Sequence, residues 1–124
     1  VICNDHDRAC ADLIAKNAKK LNLDSIVRVT CKDYVACLTD LKRTGEQFDF
    51  VFLDPPYQEG AAKVAIEAIF SLGLLTRQGR VYLEHAEKLP PTIETPLAKL
   101  KQTKRYGTCA VSIYERADDE AKPE

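Results

Sequence analysis

The sequence predicts an α/β domain with a mostly parallel sheet, helices on both faces of the sheet and a C-terminal antiparallel hairpin. Strand-like and helix-like hydrophobic patterns alternate along most of the 124 residues, which is typical of a parallel sheet. The last two strand-like runs meet at Tyr106-Gly107, as in a hairpin. We therefore expect one domain over residues 1–116 and a polar tail over residues 117–124.

The first part of the chain contains two strand–helix pairs. Strands are predicted at Val1–Asn4 and Ile26–Cys31, and helices from Asp7 to Lys20 and from Tyr34 to Lys42. In both helices the apolar residues recur at helical spacing. Asp33 stands directly before the second helix, where an N-cap residue is expected.

The second part of the chain begins with an apolar strand at Phe48–Leu53. A helix follows from Ala61 to Leu72, and Gly73 is a suitable residue to end it. Further strands are predicted at Arg80–Glu84, at Leu97–Arg105 and at Thr108–Arg116. The whole order is β-α-β-α-β-α-β followed by a β-hairpin.

The most informative motif is Asp54-Pro55-Pro56-Tyr57, directly after the strand at Phe48–Leu53. Neither proline has an N–H to donate, so the chain must leave the sheet there. One carboxylate, one constrained carbonyl and one aromatic ring then lie at the carboxyl edge of a strand, where ligands bind in open α/β sheets. This set suits the capture of a flat group with an amino function. An ordinary strand exit, with Asp54 capping backbone N–H groups, explains the same residues.

Composition excludes several other classes of protein. The formal net charge is -1, so no overall field favours nucleic acid. No apolar run approaches the length of a membrane span, and the start does not have the pattern of a signal peptide. The five cysteines are odd in number and include no Cys-x-x-Cys pair, so we expect no disulfide framework, no metal site and a reducing cytoplasm.

With this element order, the Asp-Pro-Pro-Tyr motif resembles class I S-adenosylmethionine-dependent methyltransferases that act on exocyclic amino groups. Within that class the chain is most similar to the RsmD family, which methylates the N2 amino group of a guanine in small-subunit ribosomal RNA. The similar segments are Val1-Ile2-Cys3-Asn4-Asp5, Asn17, Cys31-Lys32-Asp33, the run from Phe48 to Tyr57, and Lys104-Arg105-Tyr106-Gly107. The resemblance implies an enzyme with a three-layer Rossmann-like sheet, S-adenosylmethionine as cofactor, ribosomal RNA or the small-subunit particle as partner, and a cytoplasmic location.

One departure from the family concerns its Gly-rich loop, which follows the first strand and approaches the methionine part of the cofactor. No Gly-x-Gly occurs in this chain. We therefore expect the family's first strand to be missing, so that the sequence begins at the second. A chain of this kind is expected to bind cofactor weakly and to self-associate through unpaired strand edges.

The resemblance also implies roles for residues that follow the first two strands. Asp5 would hold the ribose of S-adenosylmethionine, because a carboxylate accepts hydrogen bonds from both hydroxyls of a diol. His6 would line the adenosine, although a solvated surface position fits it equally. Asp33 would accept from the adenine amino group, with Tyr34 against the ring. N-capping is the simpler reading for Asp33, and both roles can coexist.

At the expected reaction centre, Asp54 and the carbonyl of Pro55 would accept the two hydrogens of the target amino group, with Pro56 holding the turn. Tyr57 would stack on the target base, which must be unpaired or flipped out. The basic residues near the last turn could contact RNA phosphates or form a solvated strand face. These residues are Lys99, Lys101, Lys104 and Arg105.

Three other functions stay open on the sequence alone. A DNA adenine or cytosine amino methyltransferase shares the chemistry, but it usually carries a target-recognition region for which 124 residues leave no room. A dinucleotide-binding oxidoreductase also uses a ribose-binding acid such as Asp5. The third is a catalytically inactive methyltransferase-like fragment that serves in binding.

Overall fold

The computed structural model describes residues 1–54, 60–86 and 89–117. Two compact units, residues 1–40 and 41–124, are described separately below. Pro55, Pro56 and Tyr57, together with residues 118–124 of the predicted tail, lie outside the described residues. The elements in chain order are β1 (Ile2–Asn4), α1 (Arg8–Lys20), β2 (Arg28–Thr30), α2 (Tyr34–Arg43), β3 (Phe48–Leu53), α3 (Ala61–Ser71), β4 (Leu75–His85), β5 (Ala98–Tyr106) and β6 (Cys109–Arg116).

In the first unit, β1 and β2 form a parallel two-stranded sheet in which Cys3 pairs with Val29. Helix α1 connects the two strands, as a parallel pair requires. The residues of α1 that are buried are small, Ala11 and Ala18, which allows close packing. Strand β2 is shorter than the predicted Ile26–Cys31, because Ile26 donates its N–H to the carbonyl of Leu23 in a turn.

Helix α2 has the predicted N-cap. The carboxylate of Asp33 accepts the backbone N–H groups of Val35 at 3.0 Å and Ala36 at 3.4 Å. These groups have no partner within the helix, so the cap stabilises the first turn by about 1 kcal/mol. At the other end, Gly45 adopts a left-handed conformation with φ 76°, and its N–H bonds to the carbonyl of Lys42. That is the usual way for glycine to end a helix.

The second unit contains a four-stranded sheet with the order β3-β4-β6-β5. Strands β3 and β4 are parallel, whereas β6 is antiparallel to both β4 and β5. The turn between β5 and β6 has two residues, and its first, Gly107, has φ 63°. The C-terminal antiparallel hairpin is therefore present as predicted.

Helix α3 covers one face of this sheet. Its apolar side chains and alternate positions of the strands form the core of the unit, because successive residues of a strand point to opposite faces. The buried residues of α3 are Ala61, Ala65, Ile66, Ile69 and Phe70. They lie in the same core as Val81, Leu83 and Tyr114, which are at most 2 % exposed.

Strand β4 starts earlier than predicted. It was expected to begin at Arg80, but the structure has it from Leu75. The pairing with β3 jumps from Phe48–Leu75 to Phe50–Arg80, so β4 carries an irregular segment between these pairs. Gly79 lies in that segment, and a Cβ at this position would be 2.8 Å from the carbonyl oxygen of Phe48. Only glycine allows the two backbones to approach this closely.

The α/β class and the strand–helix alternation are confirmed. The strands of the described residues form two sheets, and in them β1 pairs only with β2 and β3 only with β4. In the part of the chain that the structure describes, no helix is long and apolar enough to cross a membrane.

Candidate functional site

In the first unit, Asp5 and Asp33 lie at the same edge of the sheet. Asp5 directly follows β1, and Asp33 follows β2 by three residues. The N–H of Asp5 bonds to the carbonyl of Thr30 at 3.2 Å, which extends the parallel pairing up to this edge. Because β1 and β2 are parallel, both carboxylates are at carboxyl ends of strands, where open α/β sheets bind ligands.

Asn4 clamps this edge, a role that the sequence did not reveal. Its side-chain Nδ2 donates to the carbonyl of Lys32 at 3.0 Å, and its Oδ1 accepts the N–H of Lys32 at 3.2 Å. The same oxygen accepts the hydroxyl of Thr30 at 2.7 Å. Asn4 therefore fixes the exit of β2 against the end of β1, next to Asp5 and one residue before Asp33. In the sequence, the one feature that could have indicated this role is an Asn at the end of a strand, directly before an acid.

The Asp5 carboxylate is already part of a local turn. Its Oδ1 accepts the N–H of Asp7 at 2.9 Å, in an Asx-type turn at the start of α1. The ring of His6 has its Nδ1 3.7 Å from the same oxygen, and the His6 side chain is 71% exposed. The Sγ of Cys31 approaches the carbonyl of His6 at 3.6 Å. Asp5 is thus held in place, while His6 lies at the surface.

Asp33 uses one carboxylate oxygen, Oδ2, for both capping bonds. A carboxylate has about four lone-pair sites on its two oxygens, so capping leaves acceptor capacity for a ligand. Tyr34 is the first residue of α2 and is half-buried. Capping by Asp33 is confirmed, and the adenine role stays a prediction.

Two thiols of the first unit, those of Cys10 and Cys37, have raised pKa values. The Sγ of Cys10 donates to Asp7 Oδ2 at 3.1 Å. This bond raises the pKa of Cys10 and lowers the pKa of Asp7, because it favours the thiol and the carboxylate together. Burial raises the pKa of Cys37. All five cysteines are free, and no three His, Cys, Asp or Glu residues of the described ranges gather as a metal site.

In the second unit, the exposed Asp54 directly follows β3. The register pairs Phe52 with Tyr82 and Leu53 with Leu83, so Asp54 and Glu84 are the residues that follow the last pair of the two strands. Alternation along β4 buries Leu83 and leaves Tyr82 and Glu84 half-buried on the opposite face. Asp54 lies two residues beyond Phe52, at the carboxyl end of β3.

An aromatic strip leads along this face towards Asp54. The ring of Phe50 stacks on Tyr82, with centroids 4.5 Å apart and the planes inclined at 18°. Phe50 is 61% exposed and Phe52 is 54% exposed. Together, Phe50 and Phe52 form an exposed apolar surface at this end of β3.

A buried polar chain fixes the carboxyl end of β4. His85 Nε2 is 2.7 Å from the hydroxyl of Ser112, which is 2.8 Å from the hydroxyl of Thr103. His85 and Ser112 are both buried. The chain crosses from β4 through β6 to β5, so the end of β4 is held by side chains as well as by the sheet ladder.

The basic residues of β5 do not share one face of the sheet. Lys104 pairs with Val111 and Arg105 with Ala110, and these successive positions point to opposite faces. The Nζ of Lys99 is 3.4 Å from a carboxylate oxygen of Glu115. A common phosphate-binding patch of Lys99, Lys101, Lys104 and Arg105 stays a prediction.

A small cavity of about 210 Å³ opens at the other edge of this sheet. It lies at the amino end of β3, opposite Asp54. Its lining consists of Gln47, Ile69, Phe70, Gly73, Leu75, Leu97 and Arg116. The Gln47 Nε2 donates to the carbonyls of Gly73 at 3.1 Å and Leu75 at 3.4 Å. Because its lining lies at the opposite end of β3 from Asp54, this cavity is separate from the candidate site.

Comparison with solved structures shows the class of fold. A protein described as "Putative methyltransferase yhhF from Escherichia coli" superposes with a TM-score of 0.76 at 24% identity, covering 93% of this chain and 62% of that chain. An O-methyltransferase from Bacillus cereus in complex with SAH gives a TM-score of 0.67 at 15% identity, over 94% of this chain and 62% of that chain. The fold is therefore that of Rossmann-like methyltransferases.

The particular family follows from sequence. The model of the family described as "Conserved hypothetical protein 95" matches residues 1–115, and the chain belongs to this family. A curated relative from Bacillus subtilis (strain 168), named "Putative rRNA methyltransferase YlbH", is 29% identical over 114 residues. That match covers 90% of this chain and 61% of the relative, so the chain spans about three-fifths of the relative's length.

Proposed function

We propose that this protein takes part in S-adenosylmethionine-dependent methylation of an exocyclic amino group, namely guanine N2 in small-subunit ribosomal RNA. The observation that carries the proposal is Asp54, which is exposed directly after β3 and directly before Pro55-Pro56-Tyr57. The family membership and the relative named as an rRNA methyltransferase support it. A substrate in the small ribosomal subunit also implies that the protein acts in the cytoplasm.

The proposed role of Asp54 follows from the electronic structure of a base amino group. Its lone pair is delocalised into the ring, so the nitrogen is a poor nucleophile. Two acceptors that lie out of the ring plane, the Asp54 carboxylate and the Pro55 carbonyl, favour a pyramidal nitrogen with a localised lone pair. Tyr57 would hold the base by stacking. The protein thus contributes orientation and preorganised charge more than strong base catalysis.

The residues at the edge of the first unit fit S-adenosylmethionine. Asp5 keeps acceptor capacity for a ribose diol beyond its bond to Asp7, and Asp33 keeps capacity for an adenine amino group beyond its capping bonds. Asn4 positions the segment that carries Asp33. When bound, the cofactor supplies an electrophilic methyl group on its sulfonium. The Bacillus cereus structure with SAH supports this choice of cofactor for the fold.

The decisive experiment compares two aspartates of the same strand. Asp54→Asn removes the proposed acceptor charge at the carboxyl end of β3. Asp49→Asn makes the same change in the first half of β3, where Asp49 Oδ1 accepts the hydroxyl of Thr76 at 2.6 Å. Transfer of labelled methyl groups to small-subunit ribosomal RNA or to the particle is measured for both variants, with Tyr57→Ala as a further test of stacking.

We expect Asp54→Asn to lower kcat on the order of 100- to 1,000-fold, the usual cost of losing a preorganised group at a reacting centre. Calorimetric titration should give unchanged affinity for S-adenosylmethionine, and Asp49→Asn should retain most activity. Methyl transfer by Asp54→Asn at the unmodified rate would remove this residue from the mechanism.

Self-association is a second part of the proposal. In the described residues β1 and β3 each pair on one side only, and β3 carries the exposed Phe50 and Phe52. An unpaired, apolar strand edge is a template for pairing with another chain. We expect the purified 124-residue chain to sediment as dimers or larger species and to bind S-adenosylmethionine weakly. A monomer with micromolar affinity for the cofactor would contradict this expectation.

A further inference from the structure

The register of β3 against β4 brings a second carboxylate beside the proposed acceptor. Leu53 and Leu83 are paired; Glu84 is the next residue of β4, and Asp54 directly follows the end of β3. Backbones of neighbouring strands are about 4.8 Å apart. Alternation places the side chain of Glu84 on the face of Tyr82, and Asp54 lies at the carboxyl end of the neighbouring strand. Two carboxylates at the carboxyl ends of neighbouring parallel strands can address adjacent atoms of one planar ligand.

Strand β6, which pairs with β4 on the side away from β3, fixes the backbone position of Glu84. Glu84 pairs with Val111 of β6, and the next residue of β4, His85, pairs with Ala110. The side chain of His85 is tied to Ser112 by a hydrogen bond of 2.7 Å. Glu84 is half-buried, and it belongs to the strand itself and not to a loop. A residue whose backbone is held in this way is suited to selecting one ligand over another.

A guanine base presents two neighbouring donors on its Watson–Crick edge, the ring N1–H and the N2 amino group. Adenine presents an amino donor beside an unprotonated ring nitrogen, which is an acceptor. A carboxylate only accepts hydrogen bonds when it is ionised. A second carboxylate next to the amino-group acceptor therefore attracts the N1–H of guanine and repels the bare N1 of adenine.

We propose that Glu84 is the residue that selects guanine, by accepting its ring N1–H while Asp54 accepts the N2 amino group. The proposal rests on the function proposed above and adds a second contact to the same base. Enzymes that act on a base read its Watson–Crick edge after it leaves the stack. A site built to bond an N–H discriminates strongly against an analogue that lacks it, because the polar group is then left unpaired.

The test uses two RNA substrates whose target bases share the 2-amino group but differ in the protonation of ring N1 and in the oxygen at C6. One has guanine at the target position, and the other has 2-aminopurine, which keeps the 2-amino group but has an unprotonated N1. The variant is Glu84→Gln, whose amide can donate to that N1. The control is Glu115→Gln. Glu115 lies near the end of β6, away from the carboxyl ends of β3 and β4, and its Oε1 is 3.5 Å from Arg80 Nε. The kcat/KM for methyl transfer and the competitive binding of both RNAs are measured.

The unmodified protein should prefer guanine over 2-aminopurine on the order of 10- to 100-fold, the value of one hydrogen bond to a charged group. In Glu84→Gln this ratio should fall towards unity, through weaker use of guanine and better use of 2-aminopurine. Glu115→Gln should keep the original ratio. An unchanged ratio in Glu84→Gln would overturn the role of Glu84.

The failure of this inference is distinguishable from failure of the proposed function. If the unmodified protein methylates guanine RNA but Glu84→Gln discriminates as before, only the inference about Glu84 is wrong. If the unmodified protein neither methylates nor binds either RNA, the proposed function is wrong and the role of Glu84 falls with it. A folded Glu84→Gln variant, shown by an unchanged unfolding transition, excludes a merely structural explanation for a loss of preference.

Discussion

Replacing Asn4 by alanine tests whether the clamp at the edge of the first unit holds the cofactor residues in place. The change removes three hydrogen bonds, two to the backbone of Lys32 and one to the hydroxyl of Thr30. Each is worth about 0.5–1.5 kcal/mol. The bonds to Lys32 are exposed, so water can replace part of them, and the low end of that range applies. We expect the free energy of unfolding to fall by about 1.5–2 kcal/mol.

The same change should weaken binding of S-adenosylmethionine, because Lys32 directly precedes Asp33 and Asn4 directly precedes Asp5. A loss of about 1.4 kcal/mol in binding corresponds to about tenfold in affinity. Urea unfolding measures the stability, and isothermal titration calorimetry measures the affinity.

The matched control is Asn17→Ala. Asn17 is exposed on α1, where alanine is the better helix former, so stability should stay the same or rise by a few tenths of a kcal/mol. If Asn4→Ala loses stability but binds the cofactor unchanged, the clamp is structural only. If neither quantity changes, the hydrogen bonds of Asn4 contribute nothing measurable, and the reasoning is refuted.

Two further predictions concern the second unit. Gly79→Ala should lower the free energy of unfolding by about 2–3 kcal/mol, because the added Cβ would meet the Phe48 carbonyl oxygen at 2.8 Å. Urea unfolding measures this loss, with Ser71→Ala at the exposed end of α3 as the control. Equal stability of the two variants would contradict the prediction. Burial raises the pKa of Tyr114 to about 12, above its value near 10 in an unfolded chain. The unfolded state therefore releases this proton first, so stability should fall as pH rises from about 10 to about 12; Tyr114→Phe should lack this part of the decline, and identical pH profiles would count against it.

The parts of the fold that depend on residues close together in the sequence could be predicted from the sequence. The alternation of strand and helix patterns, the Asp33 cap, the helix end at Gly45 and the turn at Gly107 all depend on local geometry. Strand limits were less accurate. The early start of β4 at Leu75 depends on how its irregular segment passes Phe48, and this contact between distant residues has no local signature.

The candidate site divides in the same way. The sequence alone determined the chemistry on offer: an acid after β1, an acid before α2, and Asp54 before two prolines and a tyrosine. Only the tertiary structure decided which groups become neighbours. The pairing of Leu53 with Leu83 brings Glu84 and Asp54 to the same edge of the sheet, and the bonds of Asn4 to Lys32 join the ends of two strands. Such pairings are set by sheet register, and register is fixed by the packing of a whole face against the core, which no single segment encodes.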